Sequence, residues 1–172
     1  MTAGQGRRNA ALAVVTVLLL AGCTGKQVRA DAPPAVTPTP TPPRACELVT
    51  AAEAASALGL ATAPTPTVDS QQECLYPGLD GVDSVNVVVR AEAYVRGVEE
   101  AAITALGAER ATALPGLGQA ALVYDIGHQV QIHAWAGGQY LLVTVSRADG
   151  GGGLSGAARS LAGTAVTRIV AR

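Results

Sequence analysis

A glycine-rich segment near the carboxyl-terminal end of the sequence matches a pattern that binds nucleotide phosphates in other proteins. Residues 151–156 read Gly-Gly-Gly-Leu-Ser-Gly, between an expected strand and an expected helix, which is the local context of a dinucleotide-binding turn. Such a site also needs a return strand and an acidic residue about 20 positions further on, and neither follows the segment. We therefore expect a glycine loop and no bound cofactor, although the start of the helix could still hold a small anion.

Ser155 in this segment is the candidate nucleophile for hydrolysis. Its neighbours lack the last glycine of the G-x-S-x-G elbow that presents a catalytic serine. A triad would also need His128 or His133 as the base, with Asp125 or Asp149 beside it. Because the elbow is incomplete, we expect no enzymatic activity and assign no catalytic residue. The two histidines are five positions apart and would face opposite sides of a strand, so we expect no joint metal site.

His133, Trp135 and Tyr140 are the residues whose types best suit a binding surface. They fall on two expected strands joined by Gly137-Gly138, at positions that would share one face of the hairpin. If helices cover the other face, an imidazole and two aromatic rings would stand together where a ligand or a partner protein could contact them. The alternative is an ordinary solvated sheet face.

The start of the chain has the pattern of a secretory leader, residues 1–22. Arg7 and Arg8 precede an apolar stretch from Ala10 to Ala21, whose 12 residues are too few for a permanent transmembrane helix. The stretch ends in Leu20-Ala21-Gly22-Cys23, which resembles the lipobox of bacterial lipoproteins. That resemblance implies cleavage before Cys23, a diacylglycerol on its sulfur, and an anchor in the membrane.

An anchored Cys23 would place the rest of the chain on the outer face of the cell membrane. Removing Arg7 and Arg8 leaves 10 basic and 13 acidic residues, a net charge of −3. Proteins that bind nucleic acid usually carry a basic surface. Because the remaining chain is net acidic, we expect no nucleic-acid binding. Compartments outside the cytoplasm are oxidising, and the remaining thiols, Cys46 and Cys74, are then expected to form a disulfide. A zinc site is the alternative, but it needs four ligands at close spacing.

A proline-dense stretch separates Cys23 from the part of the chain that is expected to fold. Residues 32–43 read Ala-Pro-Pro-Ala-Val-Thr-Pro-Thr-Pro-Thr-Pro-Pro, a composition that favours polyproline II and forms neither helix nor sheet. We therefore divide the chain into a leader, 1–22, a lipidated cysteine and tether, 23–43, and one domain, 44–172. Hydrophobic residues make up 49% of the sequence, which is enough to build a single core.

Hydrophobic periodicity predicts five strands and three helices in this domain. A capping box at Thr50 and Glu53 begins the first helix, and Gly59 ends it. Short hairpin loops favour an antiparallel sheet of about five strands with helices packed mainly on one face, an α+β fold, although helices could also flank both faces. The expected strands are 74–76, 84–90, 120–125, 129–135 and 140–146, and the expected helices are 50–58, 94–106 and 154–170.

This arrangement resembles small actinobacterial lipoproteins that carry the domain of unknown function numbered 3558. The resemblance covers nearly the whole chain after the leader. It implies a lipid-anchored α+β domain outside the cytoplasm with a Cys46–Cys74 bridge, and no catalytic residues, because the family has no agreed activity. The matching features are the lipobox, the tether, residues 46–53, Ala57-Leu58-Gly59, Cys74-Leu75-Tyr76, the turn 117–121 and a closing Ala/Leu helix.

The sequence thus favours a lipid-anchored lipoprotein with a non-enzymatic binding or sensor domain at the cell envelope. Its partner, beyond the membrane itself, would be an unknown protein or small molecule. The alternative is an accessory or structural protein that docks a secreted enzyme or an envelope complex. A closed apolar pocket between sheet and helix would favour a small ligand, and a flat exposed apolar patch would favour a partner protein.

Overall fold

The structure, a computed structural model, describes residues 41–92, 111–150 and 152–172. The predicted leader, the predicted lipidation site Cys23 and most of the tether lie outside the described residues, as does the predicted helix 94–106. None of the helices within these three ranges is both long enough and apolar enough to cross a membrane.

Seven antiparallel strands form one sheet in the described part of the chain. The strands are β1 (Val68–Asp69), β2 (Glu73–Pro77), β3 (Ser84–Ala91), β4 (Ala111–Ala113), β5 (Ala120–Asp125), β6 (Gln129–Ala136) and β7 (Gln139–Ser146). They are hydrogen-bonded in the order β1-β2-β3-β7-β6-β5-β4. The turn between β6 and β7 is Gly137-Gly138, whose positive φ angles of 56° and 72° suit a two-residue hairpin.

Three helices accompany the sheet in the described residues: α1 (Ala45–Leu48), α2 (Ala51–Leu58) and α3 (Leu154–Val170). The predicted capping box begins α2. The Glu53 amide donates to the Thr50 hydroxyl at 3.3 Å, and the Thr50 amide donates to the Glu53 carboxylate at 2.7 Å. Gly59 ends α2 in the left-handed conformation, with φ 68°.

The described helices pack against the same face of the sheet. α3 lies across β6 and β7 and buries the stripe that its periodicity predicts. The buried residues of this stripe are Leu154, Ala158, Leu161, Ala165 and Ile169. The sheet contributes alternate residues of its central strands, namely Val85, Val87, Val89, Val130, Ile132, Ala134, Leu141, Val143 and Val145, all fully buried. The fold is therefore an antiparallel α+β layer, as the sequence predicts.

The sheet has two strands more than the five that the sequence predicts. β1 and β4 are only two and three residues long, and segments so short show no alternation of polar and apolar residues from which a strand could be predicted. α1, with four residues, escapes prediction for the same reason. The five predicted strands are all present, and β2, β3, β6 and β7 extend one or two residues beyond their predicted bounds.

A disulfide bond and an Arg168-centred set of hydrogen bonds help to hold the first two helices on the core. The sulfur atoms of Cys46 in α1 and Cys74 in β2 lie 2.01 Å apart, the distance of a disulfide bond. Arg168 of α3 donates two hydrogen bonds to the Glu53 carboxylate of α2, at 2.7 and 2.8 Å. Arg168 also donates to the Leu48 carbonyl at 2.8 Å, so one guanidinium contacts both short helices.

Candidate functional site

A cavity of about 940 Å³ opens at the end of the sheet where β6 and β7 are joined. One wall is the hairpin around residues 136–139. The second wall is the last part of α3, around residues 166–172, and the third is the loop at 118–119 that leads into β5. Thr41 and Pro43 border the cavity where the described chain begins. Small-molecule sites commonly enclose about 300–1,000 Å³, so the volume suits a ligand of that kind.

Aliphatic side chains of α3 make much of the wall. Val166 and Ile169 line the cavity and are largely buried, whereas Val170 lines it at the rim and is 64% exposed. Only two other large hydrophobic side chains are exposed in the described ranges. A molecule seated in the cavity would remove the Val170 side chain from water, which is favourable.

The polar groups of the lining are almost all neutral. Gln119 and Gln139 bring side-chain amides, which both donate and accept hydrogen bonds. The loop that holds Gln119 is fixed to β6, because the backbone amide of Gln119 donates to the backbone carbonyl of Trp135 at 2.7 Å. Arg172 is the one charged residue among the described lining residues, and its guanidinium pairs with Glu47 at 2.6 Å. The side chains of the described walls therefore hold no unpaired charge.

Gly118 allows the loop before β5 to lie against the hairpin. Its φ is +63°, and a β-carbon at this position would lie 2.5 Å from the Trp135 carbonyl oxygen. Gly116, two positions earlier, has φ +81° and no atom within 4 Å of where its β-carbon would be. A substitution at Gly116 would therefore carry only the cost of a left-handed backbone, whereas a substitution at Gly118 would also carry the cost of a steric contact.

Gly118→Ala is expected to destabilise the fold by about 3 kcal/mol, against about 1 kcal/mol for Gly116→Ala. Both substitutions place a side chain on a left-handed backbone, but only the first forces backbone atoms apart. Urea unfolding of the native protein and the two variants measures the difference. Equal losses would show that the loop does not press on β6 at this point.

His133, Trp135 and Tyr140 share one face of the β6–β7 hairpin, as their spacing predicts, on the side away from the described helices. The Tyr140 hydroxyl lies 2.8 Å from His133 Nδ1, and the ring centroids of Trp135 and Tyr140 are 5.6 Å apart. His133 Nε2 lies 3.3 Å from Gln131 Oε1. Both imidazole nitrogens therefore have a polar neighbour within the sheet.

These three side chains are buried, which corrects the expectation that they form an accessible surface. His133, Trp135 and Tyr140 are 4, 9 and 1% exposed. The physical reason for His133 and Tyr140 is that their polar atoms satisfy each other at 2.8 Å, so these two rings can be buried at little cost. Leu122 and Leu142 also pack against Trp135 and Tyr140. A ligand or partner cannot reach the cluster in this arrangement.

The acids considered for hydrolysis serve local structure. The Asp125 carboxylate accepts a hydrogen bond from the Gly127 amide at 2.9 Å, and Asp149 pairs with Arg147 at 2.9 Å. Ser155 lies in the first turn of α3. Among the described residues, no hydrogen-bonded set of serine, histidine and acid forms around it, and no group of three or more His, Cys, Asp or Glu residues is placed to hold a metal ion.

The cavity is the feature that sequence reasoning misses. Its walls come from four segments that are far apart in the chain, and no short motif marks them. The available signal is a pair of glycines, Gly118 and Gly137, which both have left-handed φ angles and mark turns where the backbone approaches its neighbours. Nothing in the sequence shows that these two turns meet the end of α3.

No protein-family model matches this chain, and no curated protein or solved structure shows significant similarity to it.

Proposed function

We propose that this chain is a lipid-anchored protein of the outer face of the cell membrane, whose domain binds a small molecule without transforming it. The observation that carries the proposed binding is the cavity between the β6–β7 hairpin and the end of α3. The anchor is diacylglycerol on Cys23. It is supported by the lipobox-like residues 20–23 and by the proline-dense tether that follows.

A small ligand suits this cavity better than a protein partner because the walls are concave and come from separate elements. Each wall is fixed to the rest of the fold. The hairpin is held by eight paired residues in each strand, the end of α3 by core packing, and the loop by the Gln119–Trp135 hydrogen bond. A site whose walls are fixed before binding loses little conformational freedom when a ligand enters.

The lining supports binding rather than catalysis. Acid–base catalysis needs a group near the ligand that takes up or releases a proton around neutral pH. Among the described lining residues only Arg172 is ionisable, and an arginine stays protonated at physiological pH. The exposed side-chain amide of Gln119 can orient a ligand by hydrogen bonds, but it does not exchange protons with it.

Native mass spectrometry of the full chain, purified from its own membrane, tests the binding. We expect a small molecule to co-purify with the native protein and with Leu79→Trp, and to be lost from Val170→Trp. Both substitutions enlarge a side chain that is mostly exposed, but only Val170 borders the cavity. The proposal fails if none of the three proteins carries a small molecule and no fraction of an envelope extract raises the temperature of thermal unfolding.

Cys23→Ala is expected to abolish the anchor. The variant should keep its leader and gain no acyl mass, because the thiol that receives diacylglycerol is gone. Metabolic labelling with palmitate and intact-mass measurement of the native and variant proteins are the test. The double variant Cys46→Ala, Cys74→Ala is the control and should still be labelled. Native protein that begins at Met1 without added mass would show that there is no lipid anchor.

A second candidate function is docking to a partner protein, and the loop between β2 and β3 favours it. In this loop Leu79 is 90% exposed and Val82 is 62% exposed. The Asp80 carboxylate accepts hydrogen bonds from the Val82 and Asp83 amides, both at 2.9 Å, and Asp83 accepts from the Ala148 amide at 2.7 Å. Apolar side chains on a backbone fixed in this way can anchor a partner.

Crosslinking in intact cells tests the docking function. A protein crosslinked to the native chain and lost from Leu79→Asp, but retained by Val170→Trp, would support docking through the loop. A crosslinking pattern that Leu79→Asp leaves unchanged would exclude the loop as a docking site.

A further inference from the structure

We infer that the cavity takes the acyl chain of an uncharged lipid, drawn from the membrane in which the proposed lipid on Cys23 would anchor the protein. The inference rests on the proposed binding function and on the proposed anchor, and it adds the class of ligand. Three observations carry it, namely the charge of the cavity walls, the exposed aliphatic rim, and the position of the cavity where the tether joins the domain.

The charge of the walls selects an uncharged ligand. The Arg172 guanidinium pairs with Glu47 at 2.6 Å, so the two side chains together bring no net charge to the wall, and a ligand carboxylate or phosphate near Arg172 would also meet the Glu47 carboxylate. The exposed polar side chains of the described lining, such as Gln119 and Thr167, are neutral. Amides and hydroxyls donate and accept hydrogen bonds, which suits the glycerol and ester groups of a neutral lipid.

The apolar part of the lining suits a hydrocarbon chain. Val166, Ile169 and Val170 form a continuous aliphatic wall along the end of α3, and Val170 leaves 64% of its surface in water. An acyl chain laid along this wall would cover that surface, and burial of apolar area is the main favourable term in such binding. The described lining contains no aromatic ring, which is the surface on which nucleobases commonly stack.

The cavity lies at the tethered end of the domain. Thr41 and Pro43 border it, and Thr41 follows Cys23 by 18 positions, so the two are at most about 65 Å apart even in a fully extended chain. The cavity is at the Gln139 end of β7, whereas the loop before Ser84 is at the opposite end of the sheet. If Cys23 carries the proposed lipid, the covalent tether confines the domain, and with it the cavity, to the neighbourhood of the membrane, where lipid is the most abundant apolar molecule.

Photocrosslinking of the full chain with a diazirine-bearing monoacylglycerol in phosphatidylcholine vesicles tests the inference. We expect adducts on the hairpin at 136–139 and on the end of α3 at 166–172. Val170→Trp is expected to lower the adduct yield about tenfold, because the indole fills the space of the acyl chain, whereas Leu79→Trp leaves the yield unchanged. Thermal unfolding shows whether each variant keeps its fold.

If Val170→Trp does not fold, Thr167→Trp replaces it in the same measurement, because Thr167 is another exposed residue of the lining.

Competition distinguishes the chemistry of the ligand. Unlabelled monoacylglycerol should suppress the adducts, and the charged fatty acid of the same chain length should do so about tenfold less well. Equal competition by the fatty acid, or a yield that Val170→Trp does not change, would overturn the inference. If adducts are absent while a different small molecule co-purifies with the native protein, the lipid assignment fails and the binding function stands. If no small molecule of any kind co-purifies, the binding function itself fails.

Discussion

Replacing Cys46 and Cys74 together by alanine is expected to lower the free energy of unfolding by about 3–4 kcal/mol. The two cysteines are 28 positions apart, so the bridge restricts the unfolded chain, which is its main stabilising effect in the chain-entropy model. In the folded protein the bridge ties α1 to β2. Since α1 has only four residues, it is too short to be stable as an isolated helix. Urea unfolding of the native protein and the double variant measures the loss.

Reduction of the native protein is the matched control for this prediction. It removes the bond but keeps both side chains, and it should cost about as much stability as the double substitution. The unfolded, unreduced mature protein should show no free thiol, because Cys23 carries lipid in the proposed anchor. Two free thiols would exclude the bridge. A double variant within about 1 kcal/mol of the native protein would exclude its stabilising role.

Glu53→Gln is expected to destabilise the fold by about 2 kcal/mol at neutral pH. The Glu53 carboxylate accepts two hydrogen bonds from Arg168, at 2.7 and 2.8 Å. It accepts two more from the amide and the hydroxyl of Thr50, at 2.7 and 2.9 Å. Glutamine offers one oxygen in place of two and no charge. Both side chains of the ion pair are about one-third exposed, so solvent screening keeps the effect smaller than for a fully buried pair.

The same carboxylate makes the stability depend on pH. The pKa of Glu53 is lowered from 4.5 to about 2, chiefly by the hydrogen bonds from Arg168; partial burial opposes this shift, and the hydrogen bonds from Thr50 contribute to it. A carboxylate whose pKa is lowered by folding stabilises the folded state above its unfolded pKa and loses that contribution as the pH falls. The difference in unfolding free energy between the native protein and Glu53→Gln should therefore be full above about pH 5 and shrink as the pH falls from 4.5 towards about 2.

Glu47→Gln is the control for the Glu53 substitution. Glu47 pairs with Arg172 at 2.6 Å, but both side chains are about half exposed, and exposed ion pairs of this kind contribute little. We expect a loss of less than about 0.5 kcal/mol at neutral pH. Equal losses for the two substitutions, or a Glu53→Gln effect that is the same at pH 7 and at pH 3, would contradict the role assigned to the Glu53–Arg168 pair.

The local features of this fold follow from the sequence wherever several residues carry the same signal. Thr50, Glu53 and Gly59 mark the two ends of α2, and alternating valines predict the buried face of β3. The bounds of α3 are predicted correctly because its 17 residues maintain helical spacing throughout. β1, β4 and α1 contain two to four residues each, too few to show any repeat, so no sequence pattern predicts them.

The candidate site depends on contacts between distant segments, and a single sequence does not reveal these. Arg168 reaches Glu53 across 115 positions, and the cavity forms where the end of α3 meets a hairpin and two loops. The pattern of β6 predicts the shared face of His133 and Trp135 but not their burial, because a histidine on an alternating strand commonly faces water. The Tyr140 hydroxyl, 2.8 Å from the imidazole, makes burial possible, and its position depends on tertiary structure.

In the described part of the chain, the two outer strands of the sheet, β1 and β4, are also its shortest, at two and three residues. An edge of that length offers a neighbouring molecule few backbone groups with which to pair, and the Arg44–Asp69 ion pair places charge on β1. Molecules held on one membrane would be crowded in two dimensions, where edge-to-edge aggregation of sheets is a hazard. Edges this short would let many copies lie side by side without merging into a continuous sheet.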